Sequence, residues 1–301
     1  MAVNRFRFSK FQMTLGLMLL VVLNVLGQES AAPPPNGDQQ SVAELLQQAQ
    51  GGDVAAQYKL AVRYSSGNGV TKDDAQAFKW FRKAAESGYA LGQVSLGLIY
   101  REGNYGVKPD AAQAVDWFRK AADQGNAHGQ SELGFMYEGG EGLPQDDREA
   151  ARLYALAAAQ GLAVAQFDLA YMYENGKGVD PDPHKATELY ESSAVSIPTA
   201  RHNLAVMYFG GKSINKDLVL AYKWVLLDVS AEHTRTLTRD LDVTDEPRLG
   251  YALILAGDIA KHMSKDEKKS GRIQAEEWIH SNAARLGEEP RFFQESIARL
   301  K

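Results

Sequence analysis

Apolar residues along most of this chain fall at helical spacing, and the same helical pattern returns every 35 to 37 residues. Leu60, Leu96, Leu133, Leu169 and Leu204 mark the beat, and Tyr64, Tyr100, Tyr137, Tyr173 and Tyr208 follow four residues after each. A small residue stands next to every Leu: Ala61, Gly97, Gly134, Ala170 and Ala205. Glycine-rich turns such as Gly67-Asn68-Gly69 and Gly176-Lys177-Gly178 come next, supplying the positive φ that tight turns need. An apolar anchor then precedes Asp by three residues, as Val70/Asp73, Val107/Asp110, Leu143/Asp146, Val179/Asp182 and Ile214/Asp217. Asp is a favoured N-cap, so each of these opens a second helix. That helix carries Ala77, Ala114, Ala150, Ala186 or Ala221, then Trp80, Trp117, Leu153, Leu189 or Trp224 three residues on. Ala84-Ala85, Ala121-Ala122 and Ala157-Ala158 continue the face, and Gly88, Gly125 and Gly161 end it.

Spacing of four, three and four residues belongs to one face of an α-helix and not to a strand. Each unit therefore reads as a helical hairpin that buries Leu, Tyr and Trp against small residues. One hairpin cannot cover its own apolar face, so the stack of hairpins is the stable unit.

These residues resemble the Sel-one-like repeats, relatives of the tetratricopeptide repeats. The resemblance rests on the A-x-x-x-L-[AG]-x-x-Y-x-x-G-x-G-[VLI]-x-x-D-x-x-x-A-x-x-W pattern and covers five units from Gly52 to Glu232. The fifth unit departs from it, with Ser213 in the second glycine slot and Asp228-Val229 in place of Ala-Ala. The expected fold is all-α, a right-handed α/α superhelix (solenoid) of about five helical-hairpin repeats plus C-terminal capping helices. Residues 41–51 fall where a second helix would lie and predict an N-terminal capping helix. Residues 52–232 hold the repeats, and 233–301 the capping helices, including an apolar helix over Gly250 to Met263 and another opened by Ser264-Lys265-Asp266-Glu267.

Residues 1–27 have the form of a signal peptide. Arg5, Arg7 and Lys10 precede an apolar run from Met13 to Leu26, and Val25-Leu26-Gly27 offers a cleavage site. The run is shorter than the roughly 20 apolar residues of a spanning helix, although an uncleaved anchor is the alternative. Residues 28–40, with Pro33-Pro34-Pro35, read as a Pro-rich linker. Either form exports the repeats, to a bacterial periplasm or as a secreted protein, with no membrane insertion after cleavage.

The net charge of −5 falls further once the basic leader is removed, which argues against a nucleic-acid partner. The chain has no cysteine, so it uses neither disulfides nor thiolate metal sites. Ser213-Ile214-Asn215-Lys216 has the S-x-x-K spacing of serine β-lactamases, but no K-T-G accompanies it. The six histidines are scattered without a ligand spacing. No catalytic residue, metal site or cofactor is expected.

What varies between units is more informative. On the first helices the sets Tyr58, Val94, Ser131, Phe167, His202 and, four residues later, Val62, Leu98, Phe135, Tyr171, Val206 change from repeat to repeat. Variable aromatic and apolar groups on one face suit recognition of another protein, or else are contacts between repeats. Tyr58, Val62, Phe135, Phe167 and Tyr171 are the candidate partner-binding residues, with Lys59, Glu132 and Asp168 beside them expected to be exposed and to set charge specificity. The resemblance implies a non-catalytic adaptor that binds its partner on the concave face of the solenoid. The alternatives are a glycan-binding scaffold and a cell-wall or β-lactam hydrolase-like enzyme.

Overall fold

The computed structural model describes residues 40–211, 214–238 and 247–286, with side chains from 231 to 249 left aside. The leader at 1–27, nearly all of the linker, Ser213 of the S-x-x-K match and the last 15 residues of the chain, 287–301, lie outside the described residues. Among the described residues there are thirteen helices and no strand. They divide into two compact units, 40–160 and 161–286.

The N-terminal unit contains α1 (Val42–Gln50), α2 (Val54–Ser66), α3 (Asp74–Glu86), α4 (Ala90–Glu102), α5 (Ala111–Asp123), α6 (Ala127–Gly139) and α7 (Asp147–Ala159). The pairs α2/α3, α4/α5 and α6/α7 are hairpins, and α1, α3 and α5 each pack against the first helix of the next hairpin. The turns follow from local chemistry. Asp73, Asp110 and Asp146 accept hydrogen bonds from backbone N–H groups of the first turn of α3, α5 and α7. Their own N–H groups donate to the carbonyls of Tyr64, Tyr100 and Tyr137 at 3.0, 2.7 and 3.0 Å, closing each hairpin. Gly103 shows why glycine ends a first helix: its φ is 75°, and a Cβ there would lie 2.7 Å from Pro109.

The deepest aromatic residue on each second helix comes one position after the Trp/Leu site. Phe81, Phe118 and Tyr154 are 2%, 0% and 0% exposed. They stand four residues after Ala77, Ala114 and Ala150, on the stripe that faces the first helix. Trp80 and Leu153 are buried as well, but Trp117 is only half-buried, with the Lys120 Nζ 3.6 Å from its ring centroid. α1 stands to α2 as α3 stands to α4. Gln57 Nε2 donates to the Ala49 carbonyl at 3.1 Å, and Gln93 Nε2 to the Ala85 carbonyl at 3.4 Å, each satisfying the end of the preceding helix.

The C-terminal unit contains α8 (Ala163–Asn175), α9 (Pro183–Ser193), α10 (Pro198–Gly210), α11 (Leu218–Thr238), α12 (Pro247–Lys261) and α13 (Lys265–Leu286). Hairpins α8/α9 and α10/α11 repeat the design, with Asp182 and Asp217 donating to the Tyr173 and Tyr208 carbonyls at 3.0 and 3.1 Å. α11 runs on through Glu232, where the sequence period fades, and both α12 and α13 pack against it. α13 opens with the capping box read in the sequence: Ser264 N–H donates to Glu267 Oε2 at 2.7 Å, and Glu267 N–H to Ser264 Oγ at 3.2 Å. Gly271 lets α13 come close to α11, since a Cβ there would meet Tyr222 at 3.1 Å. Trp278 then meets Trp224 edge-on at 5.7 Å.

Candidate interaction surface

The variable first-helix positions divide by burial. In the N-terminal unit Lys59, Val62 and Phe135 are half-buried and retain accessible surface. Tyr58 is 3% exposed, edge-on to Phe81 at 5.7 Å and tilted against Tyr89 at 5.5 Å, and burial pushes its phenol up to about 12. It is a contact between repeats and presents no free face. In the C-terminal unit Phe167 and Tyr171 are half-buried, and the Phe167 ring lies 5.4 Å from that of Tyr190.

The expected exposure of Glu132 and Asp168 does not hold: they are 9% and 5% exposed. Their register explains this, because Ser95 and Asn203 at the equivalent positions of other first helices are buried too. Glu132 takes a hydrogen bond from Arg101 Nη1 on α4, and Arg101 Nη2 donates to Glu102 Oε1 at 3.0 Å. The guanidinium lies 5.9 Å from the Phe118 ring centroid and 5.5 Å from that of Phe135. Burial opposes the charge on Arg101, and the Glu132 and Glu102 carboxylates outweigh it and raise its pKa. One turn before Glu132, burial lowers the pKa of His128, with Glu132 opposing the shift. Phe135 is therefore the accessible edge of an ionic joint between two repeats.

A second rule, which the reading of the sequence missed, ties the two helices of one hairpin. Tyr154 OH donates to Glu138 Oε2 at 3.1 Å, and Tyr190 OH to Glu174 Oε2 at 3.0 Å. Burial, and then the Glu174 charge, raises the Tyr190 phenol well above its ordinary value. Where the deep aromatic residue is Phe, the partner position holds Ser65 before Phe81 and Arg101 before Phe118. The signal was available as a residue sixteen or seventeen positions ahead of each deep aromatic that changes with it.

The fifth repeat replaces neutral groups with charged ones. Arg201 occupies the slot of Gln57 and Gln93 and is fully buried. Its Nε donates to the Ala194 carbonyl at 2.7 Å, Nη1 to Leu227 at 3.0 Å and Nη2 to Val195 at 3.3 Å, while its plane lies 5.0 Å from the Trp278 ring. His202 Nδ1 sits 3.0 Å from Asp228 Oδ2, with side chains 6% and 0% exposed. Asp228 is the residue that displaces the first Ala of Ala-Ala. The His202 and Asp228 side chains are both buried. Among the described residues no cluster of His, Cys, Asp or Glu could hold a metal ion, and no helix is long and apolar enough to cross a membrane.

The hairpin boundaries coincide with five matches to the Sel1 repeat profile, at residues 54–89, 90–126, 127–162, 163–194 and 198–227, more than half of the chain. The chain belongs to the Sel1-repeat family. Proteins of this family are generally non-catalytic scaffolds for protein–protein interaction. Among solved structures it is similar to c5321, a protective antigen of uropathogenic Escherichia coli with an SLR fold. That likeness has a TM-score of 0.61 and 29% sequence identity, covering 86% of this chain and 56% of that one. A Sel1 repeat protein from Oxalobacter formigenes is similar at TM-score 0.61 and 27% identity, covering 85% of this chain and 93% of the other. Among curated proteins, the secretory immunoglobulin A-binding protein EsiB of Escherichia coli O6:H1 is 39% identical over 72 residues. That match takes in 24% of this chain and 12% of EsiB, so this chain spans only part of the two Escherichia coli relatives.

Proposed function

We propose that this Sel1-repeat chain is an exported, non-catalytic adaptor that binds a partner protein along the first-helix face of its repeats. The observation that carries the reading is a group of half-buried side chains on the first helices, of which Val62, Phe135 and Tyr171 share one register and differ from one another. Lys59, Val62 and Phe135 form it in one unit, and Phe167 and Tyr171 in the other. Aromatic and aliphatic anchors that vary are what a sequence-specific protein contact uses. In helical-hairpin solenoids this face lines the concave side, where such proteins take their partners. Export rests on the basic and apolar leader, and its destination is the bacterial periplasm or the exterior. The binding function in EsiB's name and the antigen status of c5321 favour an exported binding role here.

A photo-crosslinking amino acid at Val62, Phe135 or Tyr171 in the native host should capture one discrete partner. The same group at Arg119, Arg152 or Lys185, exposed on second helices, should not. Equal capture from both sets, or from neither, would remove the first-helix face from the account. Cell fractionation checks the remainder, with the mature chain recovered outside the cytoplasm.

A further inference from the structure

We propose that Tyr105 is a wedge that sets the step between the first and second repeats. Nine positions separate the turn Tyr from the capping Asp in four of the repeats, but ten separate Tyr100 from Asp110. The extra residue lies in the turn Gly103-Asn104-Tyr105-Gly106-Val107. In the neighbouring repeats the second turn glycine comes up against the start of the preceding second helix. A Cβ on Gly142 would lie 2.5 Å from the Ala111 carbonyl, and one on Gly69 would lie 3.6 Å from Val42. A Cβ on Gly106 would meet nothing within 4 Å, so this turn stands off from the start of α3.

Tyr105 fills the gap. Its φ is 56°, the one positive φ outside glycine among the described residues, and such a conformation persists only where the surroundings hold it. The phenol donates to Ser65 Oγ at 3.0 Å, forty residues back, and the ring lies 6.1 Å from Phe81. With Val107 it packs on the cluster of Leu45, Leu60 and Phe81. Burial raises its phenol pKa, with the Ser65 hydrogen bond opposing the rise. The inserted residue thus opens the turn edge of the first step, whereas the second step is closed by direct contact of Gly142. The wedge is independent of what the repeats bind.

The chain has no cysteine, so spin labels can be placed cleanly through Ala75→Cys on α3 and Ala112→Cys on α5, both exposed. Pulsed dipolar spectroscopy on the full chain then reads the step directly. Tyr105→Gly should shorten the mean distance by about 3 Å, on the order of one layer of van der Waals contact. Tyr105→Phe keeps the ring and should leave the distance unchanged. Should the Gly variant lose helix content, Tyr105→Leu carries the test and should give an intermediate distance. An unchanged distance in a folded Gly or Leu variant, or a Phe variant shifted as far as the Gly variant, overturns the wedge.

Discussion

The first and last repeats meet the same requirement with different chemistry. Each must satisfy the carbonyls left open at the end of a preceding helix. In the N-terminal unit Gln57 and Gln93 do so with a neutral amide, at 3.1 and 3.4 Å. In the C-terminal unit Arg201 does so with a buried cation that reaches three carbonyls and lies 5.0 Å from the Trp278 ring centroid. Beside it, His202 and Asp228 take positions that hold Phe167 and Ala84 in other repeats. The other copies demonstrate that the hairpin does not need those charges. A buried charged group adds little net stability over an apolar replacement, but it is costly to break by halves. The last repeat is thus held by groups that tolerate little change, where the first relies on a replaceable amide.

That contrast can be broken by mutation. Arg201→Ala strands the Ala194, Val195 and Leu227 carbonyls and should cost about 4 kcal/mol in urea unfolding of the C-terminal unit. Asp228→Ala leaves His202 without its buried partner and should cost about 3 kcal/mol. The double variant His202→Phe with Asp228→Ala should recover to within about 1 kcal/mol of the native chain, because it restores the chemistry of other repeats. Failure of that recovery would mean the pair is needed for packing as such.

Smaller effects sharpen the comparison. Tyr154→Phe removes a donor from the buried Glu138 and should cost about 2 kcal/mol. Gln57→Ala should cost only about 1 kcal/mol, seen as faster amide exchange in α1 and α2. The smallest effect is a pH slope. Burial lowers the folded pKa of His128, so its contribution to stability is present above the unfolded value of 6.5. It is lost as the pH falls below 6.5 and through the folded pKa, where the unfolded chain takes the proton first. His128→Asn should flatten this part of the stability profile.

The hairpins were legible in the sequence because Asp caps, turn glycines and the Leu–Tyr beat are local signals. Asp73, Asp110, Asp146, Asp182 and Asp217 all cap as read. The interaction surface was less legible. Periodicity places Tyr58, Glu132 and Asp168 on a helix face, but burial there depends on the neighbouring first helix, which no local pattern reports. The partner that Glu132 meets there, Arg101, lies 31 residues earlier in the chain. The Trp stripe holds at Trp80 and Trp224, which are buried, and fails at Trp117, which is half-buried. Hydrophobicity favours Trp117, while the geometry of the hairpin points Phe118 at the core.

The most direct test of the adaptor reading measures binding and folding together in Tyr171→Ala. After crosslinking in the native envelope, the partner recovered with the wild-type chain should be lost with this variant. Its helix content and melting temperature should stay close to wild type, because Tyr171 is half-buried. Retained capture, or loss of capture accompanied by an equal loss of helix, would place Tyr171 among the packing residues and contradict the account.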